Sequence, residues 1–205
     1  MTKAIVITHG LFMKKEIMFF LDNKFKELGY KTYSFGYKTR TFSKKTVSEF
    51  KEFVDKIEDE EIFFVGHSLG GLLIRHYFET YKPKFKNTCI VTLGTPHNGS
   101  SLAKNIENYG FSGIIGETTS SLVIGLGEWN SDLADLGCIA GTKNVGINNI
   151  FNRNSLAGDG TVLINEAIAS KAKDIAYIKL NHTFLIYSKA VVILIDNFIK
   201  HRKFN

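Results

Sequence analysis

Apolar positions along the chain alternate between two kinds of spacing. Short apolar runs, typical of buried strands, are separated by longer segments in which apolar side chains recur every three or four residues, as in amphipathic helices. The predicted strands are Ala4 to Thr8, Lys31 to Tyr37, Ile62 to Val65, Cys89 to Leu93, Cys138 to Gly141 and Ile175 to Leu180. The predicted helices are Lys14 to Leu28, Ser43 to Ile57, the segment directly after Ser68, and Phe184 to Ile199.

Strands that alternate with helices are typical of parallel βαβ units in one doubly wound sheet. We therefore predict an α/β fold with about six mostly parallel strands and helices on both faces. A length of 205 residues favours a single domain spanning 1–205. One cap-like insertion is predicted at about 101–135, where apolar residues follow no clean period; a mobile cover over a site and a packed surface subdomain both fit it.

Composition places the chain among ordinary globular proteins, with 44% hydrophobic and 22% charged residues. The formal net charge of +6 raises the question of nucleic-acid binding. The lysines are spread along the chain, and the densest basic cluster, residues 38–45, is typical of a solvated loop and helix start. We therefore predict no nucleic-acid partner and keep weak peripheral contact with an anionic membrane as an open alternative.

Two further features bear on the compartment. No apolar run approaches the roughly 18 residues of a transmembrane helix, and the apolar stretch near the start is too short for a secretory signal. Cys89 and Cys138 both lie in apolar stretches, which favours buried thiols over a disulfide between two strands. These observations predict a cytoplasmic protein.

A candidate nucleophile stands between the third predicted strand and the next helix. The sequence Gly66-His67-Ser68-Leu69-Gly70 follows a β-prone apolar run and precedes apolar residues at helical spacing. That context makes it a G-x-S-x-G nucleophile elbow, in which a serine on a tight strand-to-helix turn exposes its hydroxyl. Ser68 is the predicted nucleophile.

A serine hydroxyl needs a base to take its proton. His182 lies just past the last predicted strand, at the sheet edge where the loops of a doubly wound fold converge, and is the predicted base. His97, in the loop after the fourth strand, is the alternative. His67 is expected to point elsewhere on the turn because it immediately precedes Ser68.

The base in turn needs a carboxylate that fixes its tautomer. Asp159, in a turn-forming Gly-Asp-Gly, is the predicted partner, and it gives the chain order Ser, Asp, His expected for an α/β-hydrolase. Asp132 and Asp135 are weaker alternatives. Two backbone N–H groups should hold the oxyanion, and those of Leu69, after the nucleophile, and Leu11, after the first strand, are predicted to do so.

Five segments together resemble the small bacterial lipases and esterases of the α/β-hydrolase superfamily. They are His9 to Phe12, Gly66 to Gly71, Leu93 to Ser100, Gly158 to Val162 and Asn181 to Thr183. The resemblance implies a serine esterase or lipase with Ser68, Asp159 and His182 as triad, Leu11 and Leu69 as oxyanion donors, and no cofactor. We find no carboxylate cluster for a metal.

The predicted activity is hydrolysis of a small-molecule or lipid carboxylic ester through an acyl-enzyme on Ser68. Apolar residues of the insertion, with Phe12, predict a groove for an acyl chain. Thioester or phospholipid hydrolysis on the same triad is an alternative. A non-catalytic binding protein of the same fold is a further one, since one fold hosts many functions.

Overall fold

A computed structural model of the protein describes residues 2–108, 124–146 and 157–205. Within these ranges the strands form one sheet of six parallel strands in the order β2-β1-β3-β4-β5-β6. Each predicted strand is present, with ends within three residues of the predicted ones. The strands are β1 Lys3–Thr8, β2 Lys31–Phe35, β3 Glu61–His67, β4 Cys89–Leu93, β5 Asp135–Gly141 and β6 Asp174–Ile178.

Burial differs between the centre and the edges of the sheet. The central strands β1, β3 and β4 are almost completely buried, which explains their continuous apolar sequences. The edge strands β2 and β6 are half-exposed and mix polar with apolar residues. Ile5 of β1 lies beside Thr32 of β2 and Phe63 of β3. The carboxyl ends of these parallel strands therefore lie together, along one side of the sheet.

Helices follow the strands as predicted, but two predicted helices, Lys14 to Leu28 and Phe184 to Ile199, each begin with a separate 3-10 helix. The α-helices are α1 Phe19–Glu27, α2 Lys44–Val54, α3 Leu69–Tyr81, α4 Ser101–Asn108, α5 Ile164–Ala167 and α6 Lys189–His201, and the 3-10 helices are Lys15–Met18, Thr39–Thr41 and Thr183–Tyr187. The prediction of one helix from Phe184 to Ile199 was wrong. Ser188 is extended and its hydroxyl accepts a hydrogen bond from the Val191 N–H, so the 3-10 turn ends there and α6 begins.

Two apolar layers pack on opposite faces of the sheet, because successive strand residues point to opposite sides. Phe64 points toward α2 and α3, where its ring meets Tyr77 at 6.2 Å between centroids. Phe63 points the other way, into the layer that contains Phe25 of α1 and Phe198 of α6. The prediction of helices on both faces is confirmed.

Both ends of the predicted insertion pack on the domain. At the first end, Leu102 and Ala103 of α4 are buried. At the other end Trp129 is buried, its indole N–H donates to the Ala134 carbonyl at 3.0 Å, and its ring lies 6.4 Å from that of Phe78. Residues 109–123 lie outside the described residues, so a covering role for the insertion stays a prediction.

Both cysteines are buried free thiols, as predicted. Burial raises the pKa of the Cys89 thiol to about 12 and also raises that of Cys138. Thiols of this kind are poor nucleophiles at neutral pH. They therefore belong to the core and are not candidates for catalysis.

No helix in the described ranges is long and apolar enough to cross a bilayer. The cytoplasmic location stays a prediction.

Candidate active site

Ser68 occupies a strained turn between β3 and α3. Its backbone angles are φ 54° and ψ −123°, a conformation that residues with a side chain rarely adopt. The neighbouring strand end holds it there: the Ser68 N–H donates to the Leu93 carbonyl at 2.9 Å, and the Thr95 hydroxyl donates to the Ser68 carbonyl at 2.9 Å. The surrounding contacts therefore support a strain that is typical of functional sites.

Glycines beside Ser68 allow strand and helix to approach closely. A Cβ on Gly66 would lie 2.6 Å from the Gly71 Cα, and a Cβ on Gly71 would lie 2.1 Å from the Thr95 hydroxyl oxygen. Such contacts are sterically forbidden, so any side chain there would push α3 away from the sheet. The glycine pattern seen in the sequence has this geometric cause.

Asp159 lies in the loop between β5 and β6 and is almost fully buried. Its Oδ1 accepts hydrogen bonds from the backbone N–H groups of Thr161 at 2.9 Å and Val162 at 2.8 Å. Its Oδ2 accepts from Nδ1 of His182 at 2.7 Å. One carboxylate oxygen thus fixes the side chain and the other holds the imidazole.

His182 follows β6, and its backbone N–H also donates to the Asp159 carbonyl at 2.9 Å. With the Nδ1 proton given to Asp159, Nε2 carries a lone pair that can accept a proton. His182 and Ser68 line the same cavity. No hydrogen bond joins their side chains in the described part of the chain; such contacts often tighten only when substrate binds.

The loop after β4 packs directly against the Asp159–His182 pair. Gly94 has φ 54°, and a Cβ there would lie 2.7 Å from Oδ2 of Asp159 and 3.0 Å from Nδ1 of His182. Only glycine fits both the backbone angle and the space. Loops after β3, β4, β5 and β6 therefore meet at one point of the sheet edge.

His67 is a site residue that the sequence analysis placed wrongly. Its ring is fully buried, lines the same cavity and lies 4.6 Å from the ring of His182. Its Nε2 donates to the His182 carbonyl at 3.1 Å. Burial, reinforced by His182, holds the pKa of His67 well below its usual range, so the ring is neutral at physiological pH. Its position at the carboxyl end of a central strand was the available signal.

The alternative candidates for the base and for its carboxylate partner lie away from Ser68. The His97 ring contacts the Thr92 hydroxyl at 2.9 Å and the Arg75 guanidinium at 3.3 Å, and it does not line the cavity that contains Ser68. Asp135 begins β5, at the opposite edge of the sheet from Ser68. Asp132 lies in the exposed turn just before it. The structure brings none of them to the elbow.

One predicted oxyanion donor lies at the start of a helix, and the other lies in the loop after a strand. Leu69 is the first residue of α3, at the positive end of the helix dipole. Leu11 follows β1 and lines the cavity. The loop is fixed by His9, whose Nδ1 donates to the Gly10 carbonyl at 3.0 Å and whose ring stacks on Tyr37 at 4.6 Å. The donor roles stay predictions.

The cavity above Ser68 has a volume of about 230 Å³ and mostly apolar walls. One wall is the loop after β1, and the other is α4 with the loop that carries Asp159. The apolar lining residues are Leu11, Phe12, Met13, Pro96, Leu102, Ala103, Ile106 and Val162. Such a lining suits a hydrocarbon chain better than a polar substrate.

No group of three or more His, Cys, Asp or Glu side chains that could hold a metal ion is present within the described ranges. The absence of a cofactor stays a prediction. The site residues described above can carry out proton transfer and nucleophilic attack with side chains and backbone groups of this chain alone.

Burial lowers the pKa of four histidines below the ordinary value of 6.5: His9, His67, His76 and His97. The unfolded chain therefore binds more protons than the folded one below about pH 6.5, and stability falls as pH falls. We expect the free energy of unfolding in urea to decrease between about pH 7 and about pH 5, by up to roughly 1.4 kcal/mol per pH unit for each histidine that stays neutral.

The matched variants are His97→Gln and His201→Gln. The first removes one buried histidine and should make the pH dependence shallower, whereas the second removes an exposed histidine and should leave it unchanged. Equal slopes in all three proteins would contradict this origin of the pH dependence.

Comparison with known proteins finds a family match over the first two thirds of the chain. The family model described as Palmitoyl protein thioesterase matches residues 4–134, well over half of the chain. The matched range contains Ser68 and both predicted oxyanion donors and ends before Asp159 and His182. A sequence search of curated proteins finds no match.

Solved structures share the fold at low sequence identity. The mature form of the lipase BlEst2 from Bacillus licheniformis is 18% identical, with a TM-score of 0.74 over 96% of this chain and 90% of that one. The ydeN gene product from B. subtilis is 13% identical, with a TM-score of 0.64 over 97% and 99%. The hydrolase olei00960 from Oleispira antarctica is 14% identical, with a TM-score of 0.58 over 98% and 92%. The predicted α/β-hydrolase fold is confirmed.

Proposed function

Because the chain belongs to the palmitoyl protein thioesterase family, we propose that it is a serine hydrolase that cleaves acyl esters and thioesters through an acyl-enzyme on Ser68. The observation that carries the proposal is the hydrogen bond of 2.7 Å between Oδ2 of Asp159 and Nδ1 of His182, whose side chain lines the same cavity as the strained Ser68. A buried carboxylate, an oriented imidazole and a serine on an elbow are the parts that this chemistry requires.

The first half of the reaction forms the acyl-enzyme. His182 Nε2 takes the proton of the Ser68 hydroxyl as its oxygen bonds to the acyl carbonyl carbon. Negative charge moves to the carbonyl oxygen, where the N–H groups of Leu11 and Leu69 stabilise it. Asp159 stabilises the imidazolium. The carbonyl re-forms as the bond to the leaving group breaks, and His182 gives its proton to the leaving alcohol or thiol.

The second half repeats these steps with water. His182 takes a proton from a water molecule whose oxygen attacks the acyl carbon. The bond between that carbon and Ser68 then breaks, the proton returns to the serine oxygen, and the carboxylic acid leaves. Each proton that His182 accepts is given back within the same half, so the enzyme is regenerated without a co-reactant.

The family match favours a thioester substrate, and the cavity favours an acyl chain in either case. A thiolate is a weaker base than an alkoxide and needs less proton donation as it leaves. Because an acyl chain would occupy the apolar cavity with either leaving group, we expect both leaving groups to be accepted. Oxygen esters and thioesters of the same acyl chain therefore form the most direct comparison.

A panel of p-nitrophenyl esters of increasing acyl length, with thioesters of matched acyl length, tests the proposal. We expect kcat/KM to rise by roughly fourfold for each added methylene, because each buried methylene contributes about 0.8 kcal/mol, until the cavity is filled. Ala103→Phe narrows the cavity from α4 and should shift the optimum to shorter chains. A flat profile in both proteins would rule out an acyl-binding role for this cavity.

A further inference from the structure

Phe12 is strained and exposed at the rim of the candidate active site. Its φ of 59° lies in the left-handed region, which is costly for an aromatic residue, and its side chain is 60% exposed. The Thr39 hydroxyl accepts a hydrogen bond from the Phe12 N–H at 3.1 Å and helps to hold this backbone. Core packing cannot explain a strain that leaves a large apolar side chain in water.

Phe12 lies between an apolar cavity and a basic one. Together with Leu11 and Met13 it lines the cavity above Ser68. The chain then continues into Lys14 and Lys15, which line a second cavity of about 590 Å³. Residues 9–14 thus contribute to the walls of both cavities.

The second cavity carries an excess of positive charge. Four exposed lysines line it, against two carboxylates. The lysines are Lys14, Lys15, Lys38 and Lys45, and the carboxylates are those of Glu16 and Glu49. Lys38 is next in sequence to Thr39, whose hydroxyl binds the Phe12 backbone, so the basic segment and the exposed ring are structurally coupled.

We propose that this rim, consisting of Phe12 with Lys14, Lys15, Lys38 and Lys45, docks on the surface of an anionic lipid bilayer. The Phe12 ring enters the boundary between headgroups and acyl chains, and the lysines contact the lipid phosphates. The positive charge of the lysines complements anionic lipid headgroups, and the exposed ring beside them suits the apolar part of the bilayer. Together these two features favour an anionic bilayer as the partner. The inference rests on the proposed function, because docking places the acyl-binding cavity next to the lipid acyl chains among which its substrate is found.

Vesicle sedimentation tests docking separately from catalysis. The Ser68→Ala protein is mixed with vesicles of phosphatidylcholine alone or of phosphatidylcholine with phosphatidylglycerol, so that no lipid is hydrolysed during the measurement. We expect binding to the anionic vesicles, weakened by salt because surface charges are screened, and little binding to the neutral ones. The absence of binding to anionic vesicles would overturn the proposal and leave the proposed function untouched.

Two variants in the same background locate the surface. Combined Lys14→Gln, Lys15→Gln and Lys38→Gln should lower the vesicle partition constant by roughly fivefold for each lysine, about 100-fold in all. Phe12→Ala should lower it by roughly tenfold through loss of the inserted ring.

Matched controls use the other parts of the surface. Lys56, Lys84 and Lys86 are exposed and lie in the loops that enter β3 and β4, at the opposite edge of the sheet, and their combined replacement by Gln changes the net charge equally. Ile193→Ala removes a side chain that is also 60% exposed, on α6. Both controls should bind vesicles as the parent does.

Two results would overturn the proposal even if binding occurs. If the two triple-lysine variants weakened vesicle binding equally, the binding would reflect only the general attraction between a cationic protein and an anionic surface. Displacement from vesicles by inorganic phosphate at constant ionic strength would assign the lysines to a small-anion site.

With Ser68 intact, the Lys14, Lys15 and Lys38 variant should hydrolyse a soluble ester at the wild-type rate, because these lysines lie outside the acyl cavity.

Discussion

Replacing Ser68 with alanine is expected to lower kcat for ester hydrolysis by about four to six orders of magnitude. Alanine keeps the Cβ and the strained turn, so the fold and the cavity remain while the attacking oxygen is lost. The remaining rate would come from the oxyanion donors and from binding alone. Steady-state kinetics on a soluble p-nitrophenyl ester, with circular dichroism to verify folding, measures the effect.

The matched control for Ser68→Ala is Thr161→Val. Thr161 lines the same cavity, but it supplies only its backbone N–H to Asp159, which valine retains. Its kcat should stay within a few-fold of the wild-type value. Ester turnover by Ser68→Ala at a rate close to that of this control would exclude Ser68 as the nucleophile.

Replacing Asp159 with asparagine is expected to lower kcat by about 10⁴-fold with little change in KM. The hydrogen bonds explain why. Oδ1 accepts from two backbone N–H groups, so the asparagine oxygen would keep that position and its NH₂ group would face Nδ1 of His182. Nδ1 would then have to accept a hydrogen bond, which moves the ring proton to Nε2, where the base must be free.

The same kinetic assay tests this tautomer argument, with Asp132→Asn as the matched control. Asp132 is exposed and lies away from the elbow, so its replacement should leave kcat unchanged. A similar loss in both variants, or a loss confined to KM, would mean that Asp159 does not orient the base.

Much of the fold was predictable because local pattern and tertiary structure agree. The strand Cys89–Leu93 was placed without error, since a run buried on both faces has to be apolar throughout. The helix boundary at Ser188 was missed, because apolar residues continue through Thr183–Tyr187 and only the extended backbone of Ser188 ends that turn. Periodicity indicates which side chains are buried, but not where the backbone hydrogen-bonding pattern changes.

The candidate site was predictable where chemistry constrains sequence spacing. The turn residues around Asp159 and the glycines around Ser68 mark strand ends, and strand ends in a parallel sheet converge. The position of His67 at the end of β3 could be predicted, but its role could not, because its contact with the His182 carbonyl joins residues 115 apart in the chain. A residue adjacent to a nucleophile in sequence can thus support the base from behind.

Trp129 gives the protein a spectroscopic reporter, because it is the one tryptophan of the chain. Its indole ring lies 5.4 Å from the guanidinium of Arg75 in α3, the helix that follows Ser68. Fluorescence excited at the red edge of the absorption band therefore comes from a single place, the junction between the end of the insertion and the nucleophile helix. Acyl chains, vesicles or acid that alter this junction would change the emission without any label attached.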